Sequence, residues 1–282
     1  MENISLYLNP GRDGDLSRTA RVIKALSPIK GRLFMEEGYR GAAKLLPFGE
    51  KICFVPEEEL FRKGDLLMTL GGDGTILSVA ARAARARIPI FGVNFGKVGF
   101  MTSLEEKEIS RLPELLAGKY ATSSRMLLSC RVGKGEPFCA LNEFIVARET
   151  GFRIVNLRLD VNGEKFCDFR ADGLIFNTPT GSTGYSFSAG GAVMDAETDA
   201  IGVKAVCSYL LINAHHMIFS PETVFTVRGG DGEEGVITVC ADGREKRTLP
   251  PGEEIRIARG EERLELVFLE KRSNLEVFFR KF

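Results

Sequence analysis

The chain reads as two domains of different class: an α/β N-terminal domain, with a parallel-type sheet and flanking helices, and a β-rich C-terminal domain. Three observations predict this. Short apolar runs alternate with helical stretches as far as residue 119, strand-like runs with few helices follow from residue 120, and an Asn162-Gly163 turn lies among the latter. With 282 residues, 44% of them hydrophobic, there is ample material for a core in each part.

In the first part the strand candidates are 4–8, 51–55, 66–70 and 88–93, and the helix candidates are 15–26, 75–87 and 105–117. Alternation of the two kinds implies a mainly parallel sheet covered by helices. In the second part the strand candidates are 127–132, 140–147, 154–161, 174–177, 223–227, 236–240, 255–258 and 264–268. Asn162-Gly163 is a two-residue hairpin signal, because both residues tolerate positive φ. The domains are therefore set at 1–119 and 120–268, with the apolar and basic tail 269–282 expected to return to the first. Glu57-Glu58-Glu59 and Gly260-Glu261-Glu262-Arg263 read as solvated faces or turns.

Composition excludes several function classes. Lys plus Arg and Asp plus Glu number 38 each, so no global basic field points to nucleic acid and no acidic excess points to disorder. Residues 1–10 lack a cationic start and carry only a short apolar stretch, which fits a first strand and not a signal peptide. No run approaches the ~18 apolar residues of a membrane helix. A cytoplasmic protein is expected. The six cysteines, Cys53, Cys130, Cys139, Cys167, Cys207 and Cys240, show neither C-x-x-C pairing nor zinc-ligand spacing, and read as free thiols, with no protein metal site. The two histidines, His215 and His216, are adjacent and would point in different directions in either regular element.

Two turns carry the chemistry. The apolar run 66–70 passes into Gly71-Gly72-Asp73-Gly74-Thr75 and then into a helix, and the run 174–176 passes into Asn177-Thr178-Pro179-Thr180-Gly181-Ser182-Thr183-Gly184-Tyr185. Such turns expose backbone N–H groups suited to phosphates, and two of them far apart in sequence point to a cleft between two domains. In the first turn the glycines allow close backbone approach, yet Asp73 would repel phosphate. Its roles are then a proton acceptor, a holder of a phosphate-neutralising metal ion, or an N-cap; the residues alone leave these open.

These residues carry a resemblance. Gly71-Gly72-Asp73-Gly74-Thr75, Gly92-Val93-Asn94-Phe95-Gly96-Lys97-Val98-Gly99-Phe100, Leu141-Asn142-Glu143 and the run from Arg170-Ala171-Asp172-Gly173 to Gly190-Gly191 resemble, in order and spacing, the motif set of the NAD kinases. The first motif alone would also fit diacylglycerol and sphingosine kinases and phosphofructokinases. The resemblance implies an α/β domain followed by an all-β, sandwich-like domain. It also implies transfer of the γ-phosphoryl of ATP to the 2′-hydroxyl of the adenosine ribose of NAD, with Mg²⁺ or another divalent cation on the triphosphate. Asp73 would accept the hydroxyl proton, Gly72, Gly74 and Thr75 would form the phosphate turn, and Phe100 would line the nucleotide pocket. Asn142, Glu143, Arg170, Asp172, Thr183, Gly184, Tyr185 and Ser188 would bind the dinucleotide, in a homo-oligomer, a dimer or tetramer, with no nucleic-acid or membrane partner.

Bland readings stand beside these. Asn142-Glu143 could be an exposed strand end, Tyr185 and Phe187 could be core, and Lys97 could be a surface lysine and not a phosphate ligand. A lipid kinase would need its own second Gly-Thr motif, which 89–96 does not supply, and a non-catalytic NADP(H)-binding sensor would have no need to keep Asp73. Two departures from the family pattern are local. Gly184 stands where alanine is commoner, and 207–217 replaces a Pro-His-Thr-Leu type run, so that the neighbouring pocket wall is expected to differ.

Overall fold

The computed structural model describes residues 2–96, 99–149, 154–209, 215–233, 235–270 and 273–281. It divides into two compact units, Met1–Ser124 with Leu264–Phe282, and Arg125–Arg263.

The first unit contains β1 (Ile4–Leu8), α1 (Ser17–Ala25), β2 (Leu33–Glu36), β3 (Ile52–Val55), α2 (Leu60–Lys63), β4 (Leu66–Gly71), α3 (Asp73–Ala86), β5 (Ile90–Asn94), β6 (Leu104–Glu105) and α4 (Leu112–Leu116). Its strands pair in parallel in the order β3-β2-β1-β4-β5, with β6 beside the end of β5. Every residue of β4 and β5 is buried, as a parallel strand covered on both faces requires. On α3 the buried residues Thr75, Ile76, Val79, Ala80, Ala83 and Ala84 form one stripe at helical spacing. The chain goes from β1 outward to β2 and β3, then returns to place β4 on the other side of β1. That reversal is a topological switch point, and the turns after the β1 and β4 carboxyl ends border it.

The second unit is made of antiparallel strands: most of β7 (Ala121–Val132), β8 (Phe138–Ala140), β9 (Glu143–Arg148), β10 (Val155–Val161), β11 (Glu164–Ala171), β12 (Gly173–Asn177), then α5 (Tyr185–Ser188), β13 (Ile201–Val206), β14 (Met217–Phe219), β15 (Phe225–Gly229), β16 (Ile237–Ala241), β17 (Glu245–Thr248) and the first part of β18 (Ile255–Phe268). One sheet runs β14-β13-β12-β9-β16-β17, and the other includes β11-β10-β15-β18. Side chains of both sheets meet in a single core, for example Phe144, Phe176 and Val239 from one with Leu157, Phe169 and Phe225 from the other. The Phe176 and Phe225 rings lie 5.3 Å apart. This is a sandwich. The last residues of β18 return to the first unit, where Leu266 pairs with Ile90, and α6 (Asn274–Lys281) closes the chain.

Three local expectations need correction. The helix expected over 105–117 is β6, a 3₁₀ turn at Glu106–Arg111 and only then α4, because Pro113 lacks an N–H and starts a helix instead of continuing one. The runs 255–258 and 264–268 are one strand; Gly260 between them is buried, a Cβ there would lie 3.3 Å from the Leu127 carbonyl oxygen, and the charged residues on either side point outward. β2, β11, β13, β14 and β17 have no counterpart among the expected strands.

Candidate active site

In the first unit the site grows from the β4–α3 turn. Gly72 is the N-cap of α3 and Asp73 its first residue, so Asp73 is not the cap. Its two carboxylate oxygens accept the N–H groups of Phe100 (2.7 Å) and Met101 (3.1 Å), which ties the segment after β5 to the start of α3. Close packing fixes the glycines around it. A Cβ on Gly71 would lie 2.1 Å from Thr75 Oγ1, and one on Gly99 would lie 2.3 Å from Asp73 Oδ1. The buried Thr75 hydroxyl accepts from Asn9 Nδ2 at 3.1 Å and from Gly72 N–H at 3.3 Å, joining the ends of β1 and β4.

The result is a cavity of about 360 Å³ lined by Asn9, Arg12, the 71–75 turn, Asn94, Gly96 and Gly99. Among these described residues Asp73 is its one anion and Arg12 its one cation, and the exposed Arg12 has no ion-pair partner among the described residues. A glycine turn at the N-terminus of a 14-residue helix, with an arginine across the cavity, suits a polyphosphate. Lys97, the other candidate phosphate cation, lies outside the described residues.

In the second unit the backbone of 141–143 is held on both edges. The Asp242 carboxylate accepts N–H groups of Leu141 (2.8 Å), Asn142 (2.8 Å) and Glu143 (3.0 Å). From the 178–184 turn, the Thr178 hydroxyl donates to Leu141 O at 2.6 Å and Thr178 N–H to Asn142 O at 2.9 Å. Gly181 packs so tightly here that a Cβ would lie 2.1 Å from Asn142 O. What this frame presents is polar and unsatisfied: Asn142 Oδ1 and Glu143 Oε2 are buried without a hydrogen-bond partner. Burial, then the charge of Asp242, pushes the Glu143 carboxyl up to about 8, against a weaker opposing bond from Tyr185 N–H. A buried, unpartnered amide oxygen and a carboxyl held protonated are groups awaiting a hydrogen-bonding ligand.

The remaining expected residues fall into two sets. Thr183, Gly184, Tyr185 and Ser188 lie on the 3₁₀ turn and α5 beside Glu143, and the methyl that Gly184 lacks would sit 3.2 Å from Glu143 Oε2 and 3.4 Å from Asn142 Nδ2. Tyr185 is 44% exposed, so it is not core. Arg170 and Asp172 stand elsewhere on the sandwich: Arg170 stacks on Tyr209 at 5.2 Å, and a hydrogen bond from the Cys207 thiol to the Asp172 side chain raises the thiol pKa. No described contact joins them to Asn142 or Glu143. Of the atypical segment 207–217, residues 210–214 lie outside the described residues. His216 has a structural role: its Nδ1 accepts Ala192 N–H at 2.8 Å, which leaves the proton on Nε2 to donate to Asn177 Oδ1 at 3.2 Å. Burial, then Lys204, lowers its pKa and favours this neutral form.

Sequence reasoning assigned no role to Asn9, Arg12, His216 or Asp242. The turn-forming Asn9-Pro10-Gly11 after the first strand was the available signal for the first two.

Profiles of known families match both parts of the chain: the ATP-NAD kinase N-terminal domain over residues 55–120 and the ATP-NAD kinase C-terminal domain over residues 141–269. The chain is 32% identical to the NAD kinase of Natranaerobius thermophilus over 286 residues, covering 100% of this chain and 98% of that one. The chain belongs to the NAD kinase family. A second family relative, the NAD kinase of Geotalea daltonii, is 34% identical over 229 residues, with 79% of this chain and 80% of its own covered. Among solved structures, yeast NADH kinase complexed with NADH superposes with a TM-score of 0.85 at 23% identity, covering 99% of this chain and 86% of that one. An NAD kinase from Archaeoglobus fulgidus in complex with ATP gives 0.77 at 24% identity, covering 99% and 98%. These two show that the fold is that of the NAD kinase family.

Proposed function

We propose that this chain transfers the γ-phosphoryl of ATP to the 2′-hydroxyl of the adenosine ribose of NAD, making NADP. The observation that carries the reading is the Gly71–Thr75 turn at the switch point, with a carboxylate lining a cavity of about 360 Å³, in a chain of this family. The ATP and NADH named with the two related structures support both ligand types.

In this reading Gly72, Gly74, Thr75 and Arg12 hold the triphosphate, Phe100 lines the nucleotide pocket, and Asp73 accepts the proton of the attacking hydroxyl. Phosphoryl transfer asks mainly for alignment and charge neutralisation, which this donor set is suited to give. Asn142 and Glu143 hydrogen-bond ribose or base, with Thr183, Gly184, Tyr185 and Ser188 completing that wall and Arg170 and Asp172 serving a further part of the dinucleotide. A divalent cation such as Mg²⁺ would neutralise phosphate charge. Since Asp73 is the one carboxylate among the cavity's described residues, phosphate oxygens and water would supply most of its ligands. The active form is proposed to be a cytoplasmic homo-oligomer; six free thiols suit a reducing compartment.

The test is purified protein with Mg²⁺ and a panel of phosphoryl donors against NAD and NADH, scored for NADP(H). NADP formed from ATP and NAD supports the reading. Absence of product with every donor, alongside retained NADP binding, would replace it with a non-catalytic sensor.

A further inference from the structure

The Asp242-Gly243 pair sits between β16 and β17 with φ of 48° and 66°, and Arg244 N–H closes the turn on Ala241 O at 2.8 Å. By itself this is a tight hairpin turn, with Ala241 paired to Glu245 across residues 242–244, in which Asp is one of several residues that tolerate the left-handed conformation. The Asp242 side chain does something the turn does not need. Its carboxylate gathers three successive N–H groups of 141–143, a segment about a hundred residues away in sequence, and Asp242 N–H also donates to Glu143 O at 3.0 Å. Together with the two bonds from Thr178, this accounts for all three backbone N–H groups and all three backbone carbonyls of 141–143.

We propose that Asp242 is the positioning residue of the dinucleotide-binding half of the site, holding the 141–143 backbone so that Asn142 Oδ1 and Glu143 Oε2 are presented to the ligand without partners of their own. This rests on the reading that Asn142 and Glu143 bind NAD. Three charge-assisted bonds on one half-buried carboxylate fix the direction of two side chains that a strand end would otherwise leave free to rotate away.

The charge has a second effect. The titratable groups around Glu143 are Asp242 in the turn and Cys240 on β16, with Arg244 beside Asp242 and the Tyr185 N–H donating to the Glu143 carboxyl from α5. After burial, Asp242 is the influence that favours protonated Glu143; burial raises the Asp242 carboxyl as well, opposed by the N–H groups of 141–143 that favour its charged form. Removing its charge therefore moves the Glu143 titration to lower pH.

The test compares Asp242→Asn and Asp242→Gly, both compatible with the turn, with Asn142→Ala as the reference. The readouts are NAD dissociation constant, KM for ATP, and the pH dependence of NAD affinity. Positioning predicts that Asp242→Gly weakens NAD at least tenfold, Asp242→Asn by a smaller factor, and KM for ATP changes less than twofold. It also predicts that the pH limb of NAD affinity moves down in Asp242→Asn, which a purely structural turn residue would not produce. Unchanged NAD affinity in both variants, or equal weakening of NAD and ATP, overturns the proposal. If Asp242→Gly does not fold, Asp242→Asn decides by the same readouts. Failure of Asn142→Ala to weaken NAD would instead sink the underlying assignment of Asn142 and Glu143.

Discussion

Replacement of Asp73 by Asn separates the two roles that its geometry permits. Both oxygens of the carboxylate accept loop N–H groups, at 2.7 and 3.1 Å, so the residue is demonstrably a clamp on the segment after β5. Asn keeps one acceptor and turns the other toward an N–H as an amide donor. The lost charge-assisted bond costs about 1.5–3 kcal/mol. For a protein of this size that is a fall of several degrees in melting temperature, at roughly 2–4 °C per kcal/mol. If Asp73 is also the proton acceptor, kcat falls by roughly 10²–10⁴-fold with the fold intact. The assay is steady-state NADP formation with saturating ATP and NAD, beside a thermal melt of the same sample. A lowered melting temperature with kcat within a few-fold of the parent would refute the proton-acceptor role and leave a loop clamp.

Other predictions follow from the same geometry. Arg12→Ala, removing the one cation among the described lining residues, should raise the KM for ATP about tenfold with little change in the KM for NAD; equal KM values in variant and parent would remove Arg12 from the phosphate site. Asn142→Ala should weaken NAD roughly ten- to hundredfold, for about 1.5–3 kcal/mol of lost hydrogen bonding, with ATP affinity less affected; calorimetric titration of each ligand decides this. Gly181→Ala, whose methyl would meet a backbone oxygen at 2.1 Å, should abolish NAD binding or fold, whereas Gly184→Ala, at 3.1 Å or more, should change NAD affinity only a few-fold. For pH, Glu143 has its folded value raised from 4.5 to about 8, so the folded state holds a proton that the unfolded state releases. Stability from this group is then complete below about 4.5 and is lost as pH rises toward about 8. Glu143→Gln should flatten that fall, seen as a smaller drop in melting temperature between pH 5 and 8; parallel curves would contradict the raised value.

Legibility in the sequence followed the range of the interaction involved. Asn162-Gly163 is local chemistry, and both residues adopt positive φ, at 51° and 88°, with Val161 paired to Glu164. The Gly71–Thr75 turn was legible for the same reason, since strand, glycines and helix are contiguous. By contrast, Leu33–Glu36 escaped notice as a strand because four residues hold only two buried positions, and it is the parallel pairing to β1 and β3 that makes them a strand. Arg12 reaches the cavity only because β1 lies beside β4, a pairing that periodicity does not encode. Asp242 carried no legible signal, because its three acceptor bonds span about a hundred positions.

The account stands most directly on where the phosphoryl group goes. ATP labelled at the γ-phosphate, incubated with NAD, Mg²⁺ and purified protein, should place label on the 2′-position of the adenosine ribose, in a product that an NADP-specific dehydrogenase reduces, and the Asp73→Asn protein should form it far more slowly. Label appearing only as inorganic phosphate or on a different acceptor, with no dehydrogenase-competent product, would contradict the account.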